Sequence, residues 1–370
     1  WMPVLFMRLR SGRIWFVPGF GEEGAAEFKK WKALLSDVEA GTTTPILGGS
    51  LHERLYGSNR DLALGLADLS NYPLASSTRD ALPQVTQYLS IDQTKNTLLR
   101  TLNAQIRKKI QTKFAAGLPA DLAVDKDTDD NVLLLKLITF GGKKLRENDP
   151  AEPHRILARM KLPIYINTNY DDLLFDALVE AGATPEKVIC PWNDRFRAPS
   201  IYDRQKDKSV DDDNKEAVYA PSPERPLVYH IFGHFSYPES MVLTEDDHFE
   251  FLIGATKNRN LIPPALLARL VNSGLMFLGF QLDDWAFRIF FRYIMDLGGG
   301  ILRNKYANIA VQVDPDEMRN SDPKRARDYL DEYFKSGSIN IYWGQSQDFA
   351  QALAPQLPPD KKENNGSTGG

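Results

Sequence analysis

The sequence predicts an α/β protein with a mostly parallel, doubly wound, Rossmann-like sheet and a helical insertion. After Pro153, short apolar segments alternate with longer segments of helical periodicity, which is the pattern of strands joined by crossover helices. From about residue 80 to residue 150 the periodicity is helical throughout. Glycines and polar residues follow the predicted strands, at the edge where open parallel sheets bind their ligands.

The N-terminal segment is expected to form a hairpin followed by a helix. Residues 3–17 alternate in part around a turn signal at Ser11-Gly12, which favours a β-hairpin. Apolar residues at helical spacing then predict the first long helix from Glu22 to Glu39.

Three parts are expected along the chain. The hairpin and helix occupy residues 1–40, and the main domain runs over 41–357 with a helical subdomain at about 80–150. Residues 358–370 are polar and rich in glycine, which is typical of a flexible tail. This composition fits one module of a longer protein.

Within the main domain, Ser58 with Asp61 three residues later predicts a capped helix start. Seven apolar segments predict strands at Thr43–Leu47, Pro163–Asn167, Lys187–Cys190, Leu227–Phe232, Leu275–Gly279, Ala307–Val313 and Ile339–Tyr342. Helical patterns follow or separate the later strands at 171–181, 245–255, 263–273, 284–297, 323–335 and 347–354. The polar stretch Tyr202–Ala220 predicts a solvated loop.

Composition excludes several classes of protein. The formal net charge of −4 gives no electrostatic footprint for nucleic acid, and the basic run at 107–109 is interpreted as a solvated helix face. A single cysteine, Cys190, excludes an internal disulfide and a Cys-rich zinc site, and it fits a reducing cytoplasm. No segment resembles a membrane span or a signal peptide, so no membrane partner is expected.

Motifs of several common enzyme classes are also missing from the sequence. There is no G-x-G-x-x-G after the first strand and no G-x-x-x-x-G-K-[ST], which argues against a Rossmann dehydrogenase and a phosphate-loop NTPase. There is no G-x-S-x-G elbow, and no His or Cys spacing typical of a metal site, so no metal cofactor is expected.

Five predicted strands run into polar or glycine-containing turns, and each turn has a structural alternative. The turns are Gly48-Gly49-Ser50, Thr168-Asn169-Tyr170-Asp171-Asp172, Gly233-His234, Gly279-Phe280-Gln281-Leu282-Asp283-Asp284 and Trp343-Gly344-Gln345-Ser346. The glycine pair is also typical of a simple tight turn, and Asn169 with Asp171 is also typical of a helix cap. A histidine inside an apolar strand, such as His230, is also typical of a core residue whose ring nitrogens are hydrogen-bonded within the protein. Together the five turns predict one cleft at the carboxyl edge of the sheet.

Four of these segments, taken together, resemble a known family. They are Gly48-Gly49-Ser50, the segment from Asn167 to Leu173, Gly233-His234 with the following 238–244, and the segment from Phe277 to Arg288. In order and spacing they resemble the sirtuin-like NAD hydrolase domains of bacterial antiphage defence systems, over roughly residues 40–355. The resemblance implies NAD as the substrate, no metal, and a cytoplasmic effector that depletes NAD. It also implies a homo-oligomer and a fused or separate sensor or ATPase module.

The resemblance assigns roles to individual residues. Gly48 and Gly49, with Ser50, match the turn that approaches the NAD pyrophosphate, and Ser50 departs from the smaller residue usual in the family. Asn169 matches the asparagine that holds the nicotinamide ribose and its attacking water. Asp171 matches the acidic partner that steadies this loop. The remaining residues that the resemblance implies in NAD binding are Thr168, Gly233, Gly279 and Asp283.

One difference from the family's motif leaves two hypotheses of function. The family's catalytic histidine usually precedes the glycine numbered 233 here, and this chain has Phe232 at that position. His230 and His234 flank it at two-residue spacing, so on a continuing strand they would share its face. Either histidine could supply the imidazole, which favours an NAD glycohydrolase. The alternative is a catalytically silent module that binds NAD or ADP-ribose and regulates assembly.

Two further expectations concern the site and the assembly. Gly48, Asn169 and Asp283 are expected to line one pocket. Self-association is expected because the segment from Leu275 to Phe291 offers more aromatic surface than one core needs. Protein deacetylation is not expected, because deacetylating sirtuins carry a four-cysteine zinc ribbon that this chain cannot build.

Overall fold

The computed structural model describes residues 7–10, 13–16, 28–123, 130–193, 196, 219–257, 262–281, 285–297, 308–312, 322–335 and 338–358. The predicted turn at Ser11-Gly12, nearly all of the Tyr202–Ala220 loop, Asp283 and the tail from residue 359 lie outside these residues.

Seven parallel strands form the central sheet, which confirms the predicted fold class. The strands are β3 (Thr43–Leu47), β4 (Ile164–Asn167), β5 (Glu186–Ile189), β6 (Leu227–His230), β7 (Gly274–Leu278), β8 (Asn308–Gln312) and β9 (Ile339–Trp343), in the order β5-β6-β4-β3-β7-β8-β9. The N-terminal hairpin also forms, with β1 (Met7–Arg10) antiparallel to β2 (Arg13–Phe16).

Strand β3 is buried along its whole length because the sheet is covered on both faces, and this is why the strands read as continuous apolar runs. Alternate residues face opposite cores, as Ile46 and Leu47 do. β6 was predicted to continue to Phe232, but it ends at His230. The chain turns there toward Gly233, which has a φ of +92°.

The helices lie between and around the strands. They are α1 (Trp31–Glu39), α2 (Glu53–Tyr56), α3 (Asn59–Leu69), α4 (Leu82–Asp92), α5 (Lys95–Lys113), α6 (Ala120–Ala123), α7 (Asp130–Asn148), α8 (Pro153–Arg159), α9 (Leu173–Glu180), α10 (Glu245–Lys257), α11 (Pro264–Val271), α12 (Trp285–Leu297), α13 (Pro323–Lys335) and α14 (Ser346–Leu353). Between residues 80 and 150, the described part of the chain contains helices and no strand, as predicted.

Two predicted helix starts have clear outcomes. Ser58 caps α3 through a reciprocal pair of hydrogen bonds with Asp61, as expected. Among the described residues the first helix begins at Trp31, whereas the prediction placed residues 28–30 inside a helix. Phe28 is buried against Trp31 and Tyr342, so the chain packs onto the sheet layer before it turns into the helix.

Three hydrophobic clusters form the core of the described residues. One lies on each face of the sheet, and the third joins the helices of the insertion. Residues from the loops after β4 and β6, including Leu173, Phe235, Met241 and Leu243, belong to the third cluster. The site loops described below are therefore packed against the helical layer.

The aromatic residues after Leu275 are used inside the chain. Phe277, Phe287, Phe290 and Phe291 are buried in the cluster on one face of the sheet. These four aromatic residues are therefore core and offer no surface for self-association, which stays a prediction.

The strand order reverses at the centre of the sheet. From β3 the chain continues to β4 on one side, and it later crosses back to β7 on the other side. Parallel sheets open a crevice at such a switch point, beyond the carboxyl ends of the two strands. Here these ends are Gly48 and Gly279. Separately, none of the helices in the described ranges has the length and apolar character needed to cross a membrane.

Candidate functional site

The ends of β3 and β7 meet through their backbones at the switch point. Gly48 N–H donates to the Leu278 carbonyl at 2.7 Å, and Ser50 N–H donates to the Gly279 carbonyl at 2.9 Å. A Cβ on Gly48 would lie 2.7 Å from the Gly279 oxygen, and a Cβ on Gly279 would lie 2.7 Å from the Gly48 oxygen. Both positions therefore require glycine. We call Gly48, Ser50 and Gly279 the glycine seam.

Asn169 connects the loop after β4 to this seam. Its side-chain amide donates to the Gly48 carbonyl at 3.1 Å, and its backbone N–H donates to Asn167 Oδ1 at 3.0 Å. Thr168 donates to the Leu47 carbonyl through both its N–H and its hydroxyl. Three of the predicted site residues, Gly48, Thr168 and Asn169, are thus brought together in one buried network.

Gly49 and Ser50 lie beside neighbouring helices. A Cβ on Gly49 would lie 2.7 Å from the Asn59 amide nitrogen, so Gly49 allows α3 to approach the turn. The hydroxyl of half-buried Ser50 lies 3.2 Å from the hydroxyl of Ser346, at the start of α14. This contact ties the β3 turn to the end of β9.

Asp171 lies under the site loop and faces the helical layer. Its Oδ2 accepts a hydrogen bond from the Tyr56 hydroxyl at 2.8 Å, and its Oδ1 accepts from the Leu173 N–H at 3.1 Å. Burial, followed by the charge of Asp171, raises the pKa of Tyr56, so Tyr56 stays a donor. Both carboxylate oxygens are engaged in holding the loop, which fits the steadying role that the resemblance implies.

The expectation that His230, Phe232 and His234 share one face is wrong. Because β6 ends at His230, the turn sends Phe232 to the other side, where its ring contacts Phe251 and Phe290. The rings of His230 and His234 contact each other at a centroid distance of 4.8 Å. Gly233 forms the turn, since a Cβ there would lie 2.2 Å from the Ser240 carbonyl oxygen.

His230 is fully buried and carries one nitrogen without a partner. Its Nδ1 lies 3.1 Å from the Asn169 carbonyl oxygen, which can only accept, so Nδ1 carries the proton. Nε2 therefore presents a lone pair, and among the described residues it has no hydrogen-bond partner. Burial, together with the neighbouring His234, lowers the pKa of His230 to about 3, so the ring is neutral near pH 7.

His234 carries its ring proton on the other nitrogen. Its Nδ1 accepts a hydrogen bond from Ser236 N–H at 3.0 Å, so Nε2 carries the proton of the neutral ring. Nε2 lies 3.2 Å from Asp172 Oδ1, at ion-pair distance but without hydrogen-bond angles. Asp172 Oδ1 also contacts the Lys187 ammonium. Burial opposes the ionised form of Asp172, but His234 and Lys187 outweigh it and hold the pKa below its usual range.

We call Asp172, His230 and His234 the histidine pocket. One potential ligand atom from each lies within 4.8 Å of the other two, as in a metal site. Two features oppose a divalent ion. The Lys187 ammonium already contacts Asp172, and His234 Nε2 carries its proton while Nδ1 accepts from Ser236. The pocket is better matched to a small neutral group that both donates and accepts hydrogen bonds.

Three residues of this region, Tyr56, Asp172 and Lys187, were not predicted as site residues. The predicted role of Asp283 is not tested by the structure. Asp172 was treated as part of a motif without a role, and Lys187 and Tyr56 were not considered. A charged residue inside a predicted buried strand was the available signal for Lys187. No sequence signal marks Tyr56, which reaches Asp171 from 115 positions away. Asp283 lies outside the described residues, so the pocket expected from Gly48, Asn169 and Asp283 is placed only for the first two.

Comparisons with known proteins agree with this architecture. The SIR2-like domain family matches residues 163–336. The NAD(+) hydrolase ThsA of Acinetobacter baumannii (strain 532279) is 25% identical over 187 residues, which cover 50% of this chain and 33% of that protein. The NAD(+) hydrolase ThsA of Cytobacillus dafuensis is 25% identical over 155 residues, which cover 42% of this chain and 26% of that protein. The chain thus spans about a third or less of the relatives it matches. The predicted resemblance to sirtuin-like NAD hydrolases is confirmed.

Proposed function

We propose that this chain, which contains a SIR2-like segment, binds NAD+ beside the glycine seam and hydrolyses its nicotinamide–ribose bond. The observation that carries the proposal is the position of His230. Its Nδ1 is fixed by the Asn169 carbonyl, and its Nε2 lone pair is free at the edge of the sheet. A neutral imidazole oriented by a second hydrogen bond is a suitable proton acceptor.

The glycine seam supports the binding half of the proposal. It lies at the switch point of the sheet, where nucleotides bind in doubly wound folds. Gly48 and Gly279 carry no side chains that would cover the backbone, and the Asn169 amide donates to the Gly48 carbonyl. These features fit a dinucleotide lying across the carboxyl ends of β3, β4 and β7.

The chemistry needs little from the protein because the leaving group is already cationic. When the bond between nicotinamide and ribose breaks, its electron pair returns to the ring nitrogen and neutral nicotinamide departs. The ribose carbon develops oxocarbenium character, as in glycoside cleavage, and a water oxygen bonds to it. The water's proton then passes to His230 Nε2. A base with a pKa of about 3 suffices, because a water bonded to this carbon is a strong acid.

Asn169 is proposed to position the ribose and the attacking water. Its amide is anchored on Gly48 and its carbonyl on His230, so one residue connects the binding surface to the base. Gly49, Ser50, Thr168, Gly233 and Asp283 remain proposed NAD-contacting residues on the strength of the family resemblance.

The proposal extends to the cell. The named relatives are NAD(+) hydrolases. By resemblance to the family, we infer that the chain depletes cytoplasmic NAD in antiphage defence. Copies of the chain would associate and work with a fused or separate sensor or ATPase module.

The test is nicotinamide release from NAD+ by the purified chain, alone and in its assembled form. We expect Asn169→Ala and His230→Ala each to reduce the rate by about a hundredfold or more, because both misplace the attacking water or its base. His234→Ala should cost less. His248→Gln is the matched control, since its ring contacts Phe232 on the far side of the turn, and it should keep the parent rate.

Two outcomes would contradict the proposal. If Asn169→Ala and His230→Ala hydrolyse NAD+ like the parent, the site is assigned to the wrong residues. If the parent releases no nicotinamide in any form while NAD+ raises its unfolding temperature, the chain is the silent binding module.

A further inference from the structure

Three buried polar atoms of the histidine pocket make no hydrogen bond of good geometry among the described residues, although Asp172 Oδ1 is in ion-pair contact with the Lys187 ammonium and lies 3.2 Å from His234 Nε2. They are His230 Nε2, His234 Nε2 and Asp172 Oδ1, and each is buried. Buried polar atoms in native proteins are almost always paired, with protein groups or with ordered water. All three atoms also lie within 4.8 Å of one another, so one small group could contact them together.

The hydrogen-bonding character of the three atoms specifies that group. His230 Nε2 accepts, because Nδ1 carries the proton. Asp172 Oδ1 accepts, because the carboxylate is ionised beside Lys187. His234 Nε2 donates, because Nδ1 is already used by Ser236. The bound group must donate two hydrogen bonds and accept one, and a water molecule can do this.

We propose that Asp172, His230 and His234 hold one water molecule and that this is the hydrolytic water of the proposed reaction. The inference rests on the proposed function for its chemical role, and on geometry alone for the water site. Asp172 thereby becomes a catalytic residue that touches the reacting water. Asp171 is not available to hold this water, because one of its oxygens accepts from Tyr56 and the other accepts from Leu173. The family's usual histidine is also missing at position 232, so Asp172 supplies the contact to the water.

The reaction step balances with these groups. The water oxygen forms a bond to the ribose carbon while the bond from that carbon to nicotinamide breaks. One water proton moves to His230 Nε2, which gives an imidazolium with protons on both nitrogens. Asp172 accepts a hydrogen bond from the second O–H of the water, whose hydrogen stays on the new ribose hydroxyl, and it stabilises the imidazolium charge. The products are ADP-ribose, nicotinamide and a proton that His230 later releases to solvent.

The pocket opens on the side of Asp172. The Asp172 and Lys187 side chains are 19% and 26% exposed, whereas the His234 side chain is fully buried. The Asp172 and Lys187 side chains therefore connect the buried atoms of the pocket to solvent. Asn169 links the pocket to the glycine seam, because its carbonyl oxygen lies 3.1 Å from His230 Nδ1 and its side-chain amide donates to the Gly48 carbonyl.

The first experiment tests the water by competition. Parent, Asp172→Asn and the control Asp176→Asn react with NAD+ in water containing methanol, and the ratio of methyl ADP-ribose to ADP-ribose is measured. A water held by three partners excludes methanol, so the parent should give almost only ADP-ribose. Asp172→Asn should lose on the order of a hundredfold in rate and raise the methyl product fraction several-fold. Asp176 lies one turn along α9 and bonds Thr139, so its variant should behave as the parent.

Equal product ratios in the parent and Asp172→Asn would overturn the catalytic role. A merely structural role for Asp172 would lower the rate without changing which nucleophile is used.

The second experiment does not depend on catalysis. A high-resolution crystal structure should show one density peak within hydrogen-bond distance of all three atoms, and nitrogen NMR should find the proton on Nδ1 of His230 and on Nε2 of His234. Direct protein hydrogen bonds to these atoms, or a zinc ion identified by its anomalous signal, would overturn the water site. If the water is found but no nicotinamide is released, the proposed function fails and the water site stands.

Discussion

The glycine seam and the histidine pocket lie on the same edge of the sheet, yet they are built in opposite ways. In the seam, backbone groups of β3 and β7 satisfy each other, and glycine is required because the two chains touch. In the pocket, His230 Nε2 has no hydrogen-bond partner in the described structure, and Asp172 Oδ1 and His234 Nε2 meet only at ion-pair distance, beside Lys187. The two parts therefore have separate tasks in the proposed function: the seam joins the ends of β3 and β7 without side chains between them, and the pocket provides the titratable groups.

The comparison predicts its largest stability effect at the seam. Gly279→Ala places a Cβ at a φ of +83° and 2.7 Å from a backbone oxygen that belongs to a neighbouring strand. We expect a loss of about 3 kcal/mol or more in the free energy of unfolding, measured by urea denaturation. Gly182→Ala is the matched control, because its φ is +90° and nothing lies within 4 Å of the added carbon. It should lose only about 1 kcal/mol. Similar losses in the two variants would show that the seam is not tight.

The pocket predicts a pH effect that the seam lacks. Burial lowers the pKa of His230 to about 3 from an ordinary 6.5. Below pH 6.5 the unfolded chain binds a proton that the folded chain does not, so stability falls as the pH drops from 6.5 toward 3. The loss from this group is about 2 kcal/mol at about pH 5. Urea denaturation of the parent and His230→Asn at about pH 7 and pH 5 measures it. His230→Asn should show a shallower pH dependence, and Gly182→Ala should keep the parent's; an unchanged slope in His230→Asn contradicts the assignment.

Tyr56 sharpens the comparison because it connects α2, which follows the seam, to Asp171 beside the pocket. Tyr56→Phe leaves a buried carboxylate one donor short and should cost about 2 kcal/mol. Loosening of the loop should also reduce nicotinamide release several-fold. Tyr165→Phe is the control, since its hydroxyl bonds only backbone groups of Leu157 and Leu162. It should lose about 1 kcal/mol and keep the parent rate. Equal effects of both variants on the rate would remove any special role for Tyr56.

The smallest effect is expected at Ser50. Its hydroxyl contacts Ser346 at 3.2 Å in a half-buried position, so Ser50→Ala should cost about 0.5 kcal/mol in urea denaturation. Its backbone N–H still donates to Gly279, so the seam should stay intact. A loss as large as that of Gly279→Ala would mean that the side chain, rather than the backbone, holds the seam together.

The fold was largely predictable because each strand of the sheet contains a short apolar run, although β3 and β5 also include Thr43, Thr44, Glu186 and Lys187. All seven strands of the sheet were predicted within one or two residues at each end. β6 was extended too far, because Ile231 and Phe232 continue the apolar run although the turn at Gly233 ends the pairing. The start of α1 was also misplaced, since Phe28 is apolar for packing against Tyr342 and not for a helix face.

The site was predictable only as a set of turns. Sequence position brings Gly48, Asn169 and Gly279 to one edge, because parallel strands end together. It does not say where side chains point. Asp171 and Asp172 are adjacent, yet the first faces Tyr56 and the second faces His234, because α9 begins immediately after them. Lys187 reaches Asp172 from a different strand, which no local pattern encodes.

The packing of the site loops couples the position of the histidine pocket to the position of the insertion helices. Leu173, directly after Asp172, and Phe235, directly after His234, are buried among the insertion helices. Gly48 and Gly279, by contrast, continue strands of the sheet. A force applied to the outside of these helices would therefore be transmitted to the pocket, while the seam stays anchored. A partner that binds these helices would therefore act on the histidine pocket without contacting the strands of the sheet.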